Sequence, residues 1–106
     1  GITFKENCPD IRNTKVYDVK RALDKFNITN QIVDPYANKV SAFEEYGVVV
    51  SNDLKIKEKF SLIIVAVAHR EFCNFSLNYW KLISKKNCLI LDLKGIVPRE
   101  LNPIRP

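Results

Sequence analysis

The feature that most constrains this chain is an uninterrupted apolar run at positions 62–68, Leu-Ile-Ile-Val-Ala-Val-Ala, which follows Ser61. The run does not alternate between apolar and polar residues, so a strand formed from it is expected to have both faces covered. Strands of this kind lie in the middle of parallel sheets that are flanked by helices. The run is much shorter than the roughly 18 apolar residues that a membrane-spanning helix needs, so it predicts a buried strand.

Strand and helix signals alternate along the rest of the chain. Besides the apolar run, which is taken as a strand over 61–68, the predicted strands cover positions 1–5, 31–33, 48–50 and 88–92. Four helices are predicted. The first begins at a cap, Asn13 or Thr14, and runs to Phe26, and the second runs through Val40 and stops at Gly47. The third begins at 51–53 and covers 54–60, and the fourth begins at the cap Ser76 and has an apolar face of Leu77, Trp80 and Ile83.

This order predicts an α/β fold, in which right-handed βαβ units form a Rossmann-like, doubly wound and mainly parallel sheet flanked by helices in three α/β/α layers. The 106 residues are enough for one domain with one core. The chain contains no Met, and we interpret residues 1–106 as a single domain of a larger protein, with a truncated first strand.

Net charge and cysteine content limit which binding partners and which cellular compartment we expect for this chain. A net charge of +5 is compatible with nucleic acid, an anionic membrane or a phosphorylated ligand. The lysines are scattered among acidic residues and no arginine-rich stripe alternates with aromatics, so we do not expect nucleic acid or a membrane as partner. Three cysteines without a C-x-x-C spacing argue against a disulfide framework and a zinc site, and favour the cytoplasm.

Ligands of doubly wound sheets bind outside the carboxyl ends of the strands. That rule selects positions 4–5, 34–35, 68–69 and 92–95 of this chain. Lys5 and Lys94 lie at two of these places and could together hold one anionic ligand. Lysines also end strands simply to keep the edge of a sheet hydrated, and geometry alone leaves both interpretations open.

The segment Gly1-Ile-Thr-Phe-Lys-Glu-Asn-Cys-Pro-Asp-Ile-Arg-Asn-Thr14 contains the pattern G-x-x-F-K followed by D-x-R-x-T. It resembles the start of the C-terminal domain of the UDP-glucose/GDP-mannose dehydrogenase family. Its form is most similar to the branch that oxidises UDP-N-acetyl-hexosamines (UDP-GlcNAc, UDP-GalNAc and the ManNAc form). Three later segments agree in order and spacing: Asp34-Pro35, Val65-Ala-Val-Ala-His69 with Phe72, and Asp92-Leu-Lys-Gly-Ile-Val-Pro98. The resemblance covers nearly the whole chain.

The resemblance implies a UDP-sugar-binding C-terminal domain of an NAD-dependent 6-dehydrogenase. Such enzymes oxidise the C6 alcohol of the sugar to a carboxylate, using two NAD per turnover, and serve bacterial surface polysaccharide synthesis. It also implies an N-terminal domain that binds NAD, a central domain that carries the catalytic cysteine, and a homodimer. This chain has no G-x-G-x-x-G and only three glycines, so we do not expect it to oxidise anything alone.

The resemblance assigns roles to individual residues. Phe4 and Lys5 match a pair that contacts the nucleotide sugar, and Lys94 matches a basic position that reaches the substrate. Arg12 matches an arginine that faces the NAD pyrophosphate, and its place near a predicted helix N-terminus also suits an anion. Phe4 could pack on a sugar or uracil face, or it could fill the core.

Other polar residues have more ordinary interpretations. Asp10 and Asp92 are expected to form salt bridges with Arg12 or Lys94. His69, the only histidine, could act in catalysis or line the cleft, but a lone histidine is more often structural. Cys8 is interpreted as a small, partly buried residue that is not the nucleophile, and Cys73 and Cys88 as packing residues.

Three alternative functions compete with this one. The first is a receiver-like signalling module, which shares the lysine after the fifth strand. It needs an acidic cluster after the first strand, where this chain has Phe4 and Lys5, so this alternative is not favoured. The second is a basic nucleic-acid-binding domain, whose binding would not require a UDP moiety. The third is a non-catalytic interaction module.

Overall fold

A computed structural model describes residues 1–12 and 14–106. The chain folds into two compact units, Gly1–Leu54 and Lys55–Pro106. In both units helices alternate with strands, and the strands pair in parallel. This confirms the predicted α/β class with Rossmann-like parallel pairing. The proposed helix cap Asn13 lies outside the described residues.

The described part of the first unit holds two helices and two short strands. They are α1 (Val16–Lys25), β1 (Ile32–Val33), α2 (Lys39–Tyr46) and β2 (Val50–Ser51). The strands β1 and β2 pair in parallel, with Ile32 opposite Val50 and Val33 opposite Ser51. The core of this unit consists of the buried residues Ile2, Ile11, Ala37, Ala42, Val48 and Val50.

Local capping explains where α2 begins and ends, whereas α1 begins without a side-chain cap. The N-cap of α1 is Lys15, so the predicted cap at Thr14 is wrong, although Thr14 Oγ1 accepts a 3.2 Å hydrogen bond from the backbone N–H of Val16. At α2, the side chain of Asn38 accepts from the N–H of Ser41, and Gly47 ends the helix in the left-handed conformation with φ of 66°. The predicted stop at Gly47 is therefore confirmed.

The second unit carries the longer strands. Its elements are β3 (Phe60–Val65), α3 (Arg70–Cys73), α4 (Leu77–Leu82), β4 (Ser84–Asp92) and a 3-10 helix at Arg99–Leu101. The strands β3 and β4 run in parallel, with Ile63 opposite Ile90 and Val65 opposite Asp92. The core consists of the buried residues Val65, Trp80, Ile83, Ile90 and Val97.

The helix α4 forms as the sequence predicts. Ser76 Oγ accepts a 3.1 Å hydrogen bond from the N–H of Tyr79, which satisfies a donor of the first turn. Trp80 and Ile83 of the predicted apolar face are buried, and Leu77 is half-buried. This face packs α4 against the β3–β4 pair.

Several predicted boundaries are wrong. No strand forms over 1–5, because the backbone N–H groups of Ile2 and Thr3 donate to a side chain, the Asp34 carboxylate. No helix forms over 54–60, because the N–H of Ile56 donates to the Tyr79 hydroxyl instead of to a helical carbonyl, and Phe60 begins β3. The short helix α3 was not predicted.

The pairing of the strands also refines the prediction. In the described part of the chain, the strands form two two-stranded sheets, β1–β2 and β3–β4. Residues 62–65 of the apolar run lie in β3, which ends at Val65 and not at Ala68 as predicted. One face of β3 is partly exposed: Leu62 and its partner Leu89 are 39% and 58% exposed. Trp80 and Ile83 cover the opposite face, where Ile63 and Ile90 lie.

Candidate functional site

Phe4 and Lys5 lie in an exposed loop at the start of the first unit. The backbone N–H of Phe4 donates to the carbonyl of Asp10 at 2.7 Å and closes the loop, and Thr3 Oγ1 donates to the carbonyl of Lys5 at 2.9 Å. The Phe4 side chain does not fill the core, since the residue is 59% exposed. The loop therefore presents an aromatic ring and an ammonium group side by side in sequence and both accessible to solvent.

The buried carboxylate of Asp34 anchors this loop to the carboxyl end of β1. Asp34 Oδ2 accepts from the N–H groups of Ile2 and Thr3 at 2.8 and 3.2 Å. Asp34 Oδ1 accepts from the N–H groups of Tyr36 and Ala37 at 2.8 and 3.0 Å. One fully buried side chain thus fixes both the segment that leads into Phe4 and the turn that follows β1.

Asn52, just beyond β2, supports the same turn. Its Nδ2 donates to the carbonyls of Asp34 and Ala37 at 2.7 and 3.1 Å. The sequence places Asp34-Pro35 at the ligand-binding edge of the sheet and in the family motif, but it does not predict these backbone contacts. The signal for its larger role was an acid directly after an apolar strand, a place where a carboxylate meets several backbone N–H groups.

Arg12 forms the predicted ion pair with Asp10, and the pairing is bidentate. Arg12 Nε donates to Oδ1 and Nη2 donates to Oδ2, both at 3.0 Å, and the N–H of Arg12 donates to Oδ1 at 2.9 Å. The hydrogen bonds from Arg12, helped by the charges of Arg12 and Lys5, lower the pKa of Asp10 to about 2. The same pairing raises the pKa of Arg12.

The pair leaves part of the guanidinium accessible. A guanidinium has five N–H donors, of which this side-chain pairing uses two. The Arg12 side chain is 78% exposed. The Arg12 guanidinium can therefore contact an anion while Asp10 holds the guanidinium in place, although the Asp10 carboxylate compensates the positive charge of Arg12.

Lys94 lies in a tight turn directly after β4. The buried Asp92 carboxylate accepts from the N–H groups of Ile96 and Val97 at 3.1 and 2.9 Å, and Gly95 takes φ of 70°. These bonds close the turn and leave Lys94 exposed. The turn presents an ammonium group at the carboxyl end of a parallel strand, the edge at which such sheets bind ligands.

The cationic partner of Asp92 is Arg105, and the expected pairing with Lys94 is wrong. Arg105 Nε donates to Asp92 Oδ2 at 3.1 Å. Burial raises the pKa of Asp92, but the N–H groups of Val97 and Ile96 and the Arg105 guanidinium outweigh it and lower the pKa overall. Asp92 therefore stays ionised in the interior of the turn.

His69 is fully buried and belongs to the fold of the second unit. Its carbonyl accepts from the N–H groups of Phe72 and Cys73, and its ring lies 5.4 Å from that of Phe72. The N–H of Leu93 donates to the carbonyl of Val65, so the segments that follow β3 and β4 run side by side. These contacts suit a structural role for His69.

The thiols differ in their surroundings. Cys8 and Cys88 are half-buried, Cys73 is exposed, and all three are free. The interpretation of Cys73 as a packing residue is wrong, whereas Cys88 packs against the core of its unit and burial raises its pKa. Within residues 1–12 and 14–106, no group of three His, Cys, Asp or Glu side chains could hold a metal ion.

The predicted site residues fall into two groups. Phe4, Lys5 and Arg12 share the N-terminal loop of the first unit, and Lys94 lies in the second unit. Each group stands next to a buried aspartate, Asp34 or Asp92, that orders the local backbone. No helix in the described part of the chain has the length and apolar character to cross a membrane.

Parallel strand pairs that alternate with helices define a small α/β, Rossmann-like domain. A family model, "UDP-glucose/GDP-mannose dehydrogenase family, UDP binding domain", matches residues 1–99. The chain belongs to this family. This agrees with the resemblance of the N-terminal motif and sets aside the receiver-like interpretation.

Named relatives come from several bacteria. The chain is 36% identical over 105 residues to a UDP-N-acetyl-D-glucosamine 6-dehydrogenase of Salmonella typhi, covering 99% of the chain and 24% of the relative. It is 37% identical to the enzyme of that name from Pseudomonas aeruginosa, covering 99% and 25%. Protein CapL of Staphylococcus aureus is 33% identical over 98 residues, 92% of the chain and 22% of the relative. The chain thus spans about a quarter of the length of these relatives.

Proposed function

We propose that this chain is the UDP-sugar-binding domain of an NAD-dependent UDP-sugar 6-dehydrogenase, which oxidises the C6 alcohol of its substrate to a carboxylate. The observation that carries the proposal is the match of the UDP-binding family over residues 1–99. Two relatives named UDP-N-acetyl-D-glucosamine 6-dehydrogenase are 36% and 37% identical to this chain over 99% of its length. They favour a UDP-N-acetyl-hexosamine as substrate and a role in surface polysaccharide synthesis.

The nucleotide sugar is proposed to bind at Phe4, Lys5 and Lys94. The exposure of both lysines supports this, because a diphosphate is held by cations that are accessible to it. The 59% exposure of Phe4 leaves its ring available to stack on uracil or on a sugar face. In this scheme, the two buried aspartates hold the loops that carry the contacts.

Arg12 is proposed to face the pyrophosphate of NAD. Its exposed guanidinium has donors left after pairing with Asp10, which fits one contact to an anion. The chain has no G-x-G-x-x-G loop, so the rest of the NAD site belongs to another domain. When bound, NAD supplies the hydride acceptor, and the part of Arg12 is to hold and orient the anion.

The features proposed for the full-length protein that carries this chain also come from the family resemblance. The relatives are about four times as long as the matched segment, which leaves room for an N-terminal NAD-binding domain and a central domain with the catalytic cysteine. We propose a cytoplasmic homodimer that does not bind nucleic acid. Residues 1–106 then form one substrate-binding domain, which is inactive by itself.

The test is a titration with UDP and with UDP-N-acetylglucosamine, followed by calorimetry, on the 106-residue chain and on the full-length protein that carries it. Polyphosphate serves as the control for non-specific anion binding. Lys94→Ala is compared with Lys86→Ala, an exposed lysine in the first half of β4. We expect saturable UDP binding that Lys94→Ala weakens by roughly tenfold or more and that Lys86→Ala leaves intact.

The other outcomes are also informative. Binding by the full-length protein alone would mean that the missing domains complete the site. Equal affinity for UDP and polyphosphate, or equal loss in both lysine variants, would contradict a nucleotide site and favour a general polyanion-binding surface.

A further inference from the structure

The C-terminal segment of the second unit folds back along β4. The N–H of Ile104 donates to the carbonyl of Ile90 and the N–H of Asp92 donates to the carbonyl of Ile104, both at 2.8 Å. These bonds form a parallel bridge between Ile104 and Leu91. We call residues 102–105 the C-terminal strap. The family match ends at residue 99, so the strap lies after the matched segment.

Arg105 connects the strap to the turn that carries Lys94. Its Nε donates to Asp92 Oδ2 at 3.1 Å, and its Nη2 donates to the carbonyl of Val97. Asp92 and Val97 are the two ends of the turn, and Asp92 also accepts from the N–H of Val97. The guanidinium therefore ties both ends of the turn together.

The burial of the two partners makes this link effective. The Asp92 side chain is fully buried, whereas the Arg105 side chain is 34% exposed and covers it. A buried carboxylate binds a guanidinium more tightly than an exposed one, since water competes less for either group. Loss of Arg105 would leave the buried charge with backbone N–H donors but no cation, and would release the carbonyl of Val97.

We propose that Arg105 is a positioning residue, which holds the 92–97 turn so that the Lys94 ammonium is fixed for the diphosphate of the ligand. The inference rests on the proposed function in one respect, the identity of the ligand. Lys94 itself has a flexible four-carbon stem, so its placement depends on the order of the backbone beneath it. Arg105 supplies that order from outside the turn and does not touch the ligand.

The experiment uses the full-length protein that carries this chain, with the variants Arg105→Ala, Arg105→Lys and Arg99→Ala. Arg99 is an exposed arginine of the nearby 3-10 helix and is the matched control. Three quantities are measured: the Kd for UDP by calorimetry, hydrogen exchange of peptides covering 92–98 by mass spectrometry, and the melting temperature.

We expect Arg105→Ala to raise the Kd for UDP by roughly tenfold, because the backbone of one or two turn residues must then be ordered on binding. Exchange in 92–98 is expected to become faster. Arg105→Lys should recover part of the affinity, since it keeps a charge beside Asp92 but lacks the two-pronged geometry. Arg99→Ala should leave the Kd and the exchange unchanged.

A merely structural role would have a different signature. If Arg105→Ala lowers the melting temperature but leaves the Kd and the exchange in 92–98 as in the wild type, the proposal is overturned. If the wild type itself fails to bind UDP, the proposed function fails instead. In that case the hydrogen exchange of peptides 92–98 still tests whether Arg105 orders the turn. An exchange rate in Arg105→Ala equal to that of the wild type would overturn this ordering role.

Discussion

The carboxylate of Asp34 accepts a 2.8 Å hydrogen bond from the backbone N–H of Ile2, a residue 32 positions earlier in the chain. Both residues are fully buried. The bond joins the segment that enters the Phe4–Lys5 loop to the end of β1. One buried side chain thus helps to determine where the candidate ligand contacts Phe4 and Lys5 lie.

Replacement of Asp34 should reveal this role as a loss of stability. Asp34→Ala removes the acceptor for four backbone N–H groups, and buried donors without partners cost about 1–3 kcal/mol each before relaxation. We expect the free energy of unfolding in urea to fall by about 3 kcal/mol or more. Asp34→Asn keeps one carbonyl oxygen and should lose about half as much.

The control for this prediction is Glu44→Ala, which removes an exposed acid from α2. It should change the free energy of unfolding by no more than about 0.5 kcal/mol. A loss from Asp34→Ala no larger than that of the control would contradict the anchoring role.

The Asp10–Arg12 pair predicts a specific pH dependence. Its hydrogen bonds lower the pKa of Asp10 from an ordinary value of 3.8 to about 2. The folded state therefore binds the Asp10 proton less readily than the unfolded state. The stabilisation is fully present above pH 3.8 and is lost as the pH falls through about 2.

The measurement is the carboxyl carbon shift of Asp10, followed by NMR as the pH is lowered. The midpoint should lie near 2 in the wild type and rise toward 3.8 in Arg12→Ala. Arg21→Ala, which removes an arginine from α1, should leave the midpoint in place. A midpoint that does not respond to Arg12→Ala would show that the ion pair does not form in solution.

The amino-acid sequence predicted the helices whose signals are local. Ser76 caps α4 and Gly47 ends α2, because each needs only its neighbours in sequence to act. The same holds for the Asp10–Arg12 pair, whose partners are two positions apart. Family resemblance supplied the candidate ligand contacts, which remain proposals.

The sequence did not predict contacts between distant segments. The Asp92–Arg105 pair joins positions 13 apart. It depends on the pairing of the C-terminal strap with β4, and no hydrophobic pattern in the sequence predicts that pairing. Segment 1–5 was predicted to form a strand, yet the N–H groups of Ile2 and Thr3 donate to a buried carboxylate instead of to a neighbouring strand. Tertiary partners of this kind override local preference.

The proposed division of roles between Lys5, Lys94 and Arg12 predicts different kinetic effects in the full-length enzyme. Lys5→Ala and Lys94→Ala should raise the KM for the UDP-sugar by roughly tenfold or more, the scale of one lost charge-assisted contact, with a smaller change for NAD. Initial rates at varied concentrations of each ligand measure this. Equal losses for both ligands would contradict the assignment.

Arg12→Ala should have the opposite selectivity. Because Arg12 is proposed to hold the NAD pyrophosphate, its removal should raise the KM for NAD and leave that for the UDP-sugar nearly unchanged. Arg21→Ala again serves as the control for the loss of one positive charge. An NAD dependence that does not differ from the wild type would rule out a contact between Arg12 and the cofactor.

The turn at Lys94 can be tested through its glycine. Gly95 has φ of 70° and Gly47 has φ of 66°, and an added Cβ would meet nothing within 4 Å at either position. Alanine at either site therefore costs only backbone strain, about 1 kcal/mol in the free energy of unfolding. Urea unfolding should give similar losses for Gly95→Ala and Gly47→Ala.

The two variants should differ in ligand binding. Gly95→Ala distorts the turn next to Lys94 and should weaken UDP binding several-fold, whereas Gly47→Ala strains only the end of α2 and should bind UDP normally. Gly95→Asn should recover affinity, since asparagine tolerates the left-handed conformation. Parallel loss of affinity in both alanine variants would mean that strain anywhere in the fold weakens binding, and that the conformation of the Lys94 turn is not specifically required.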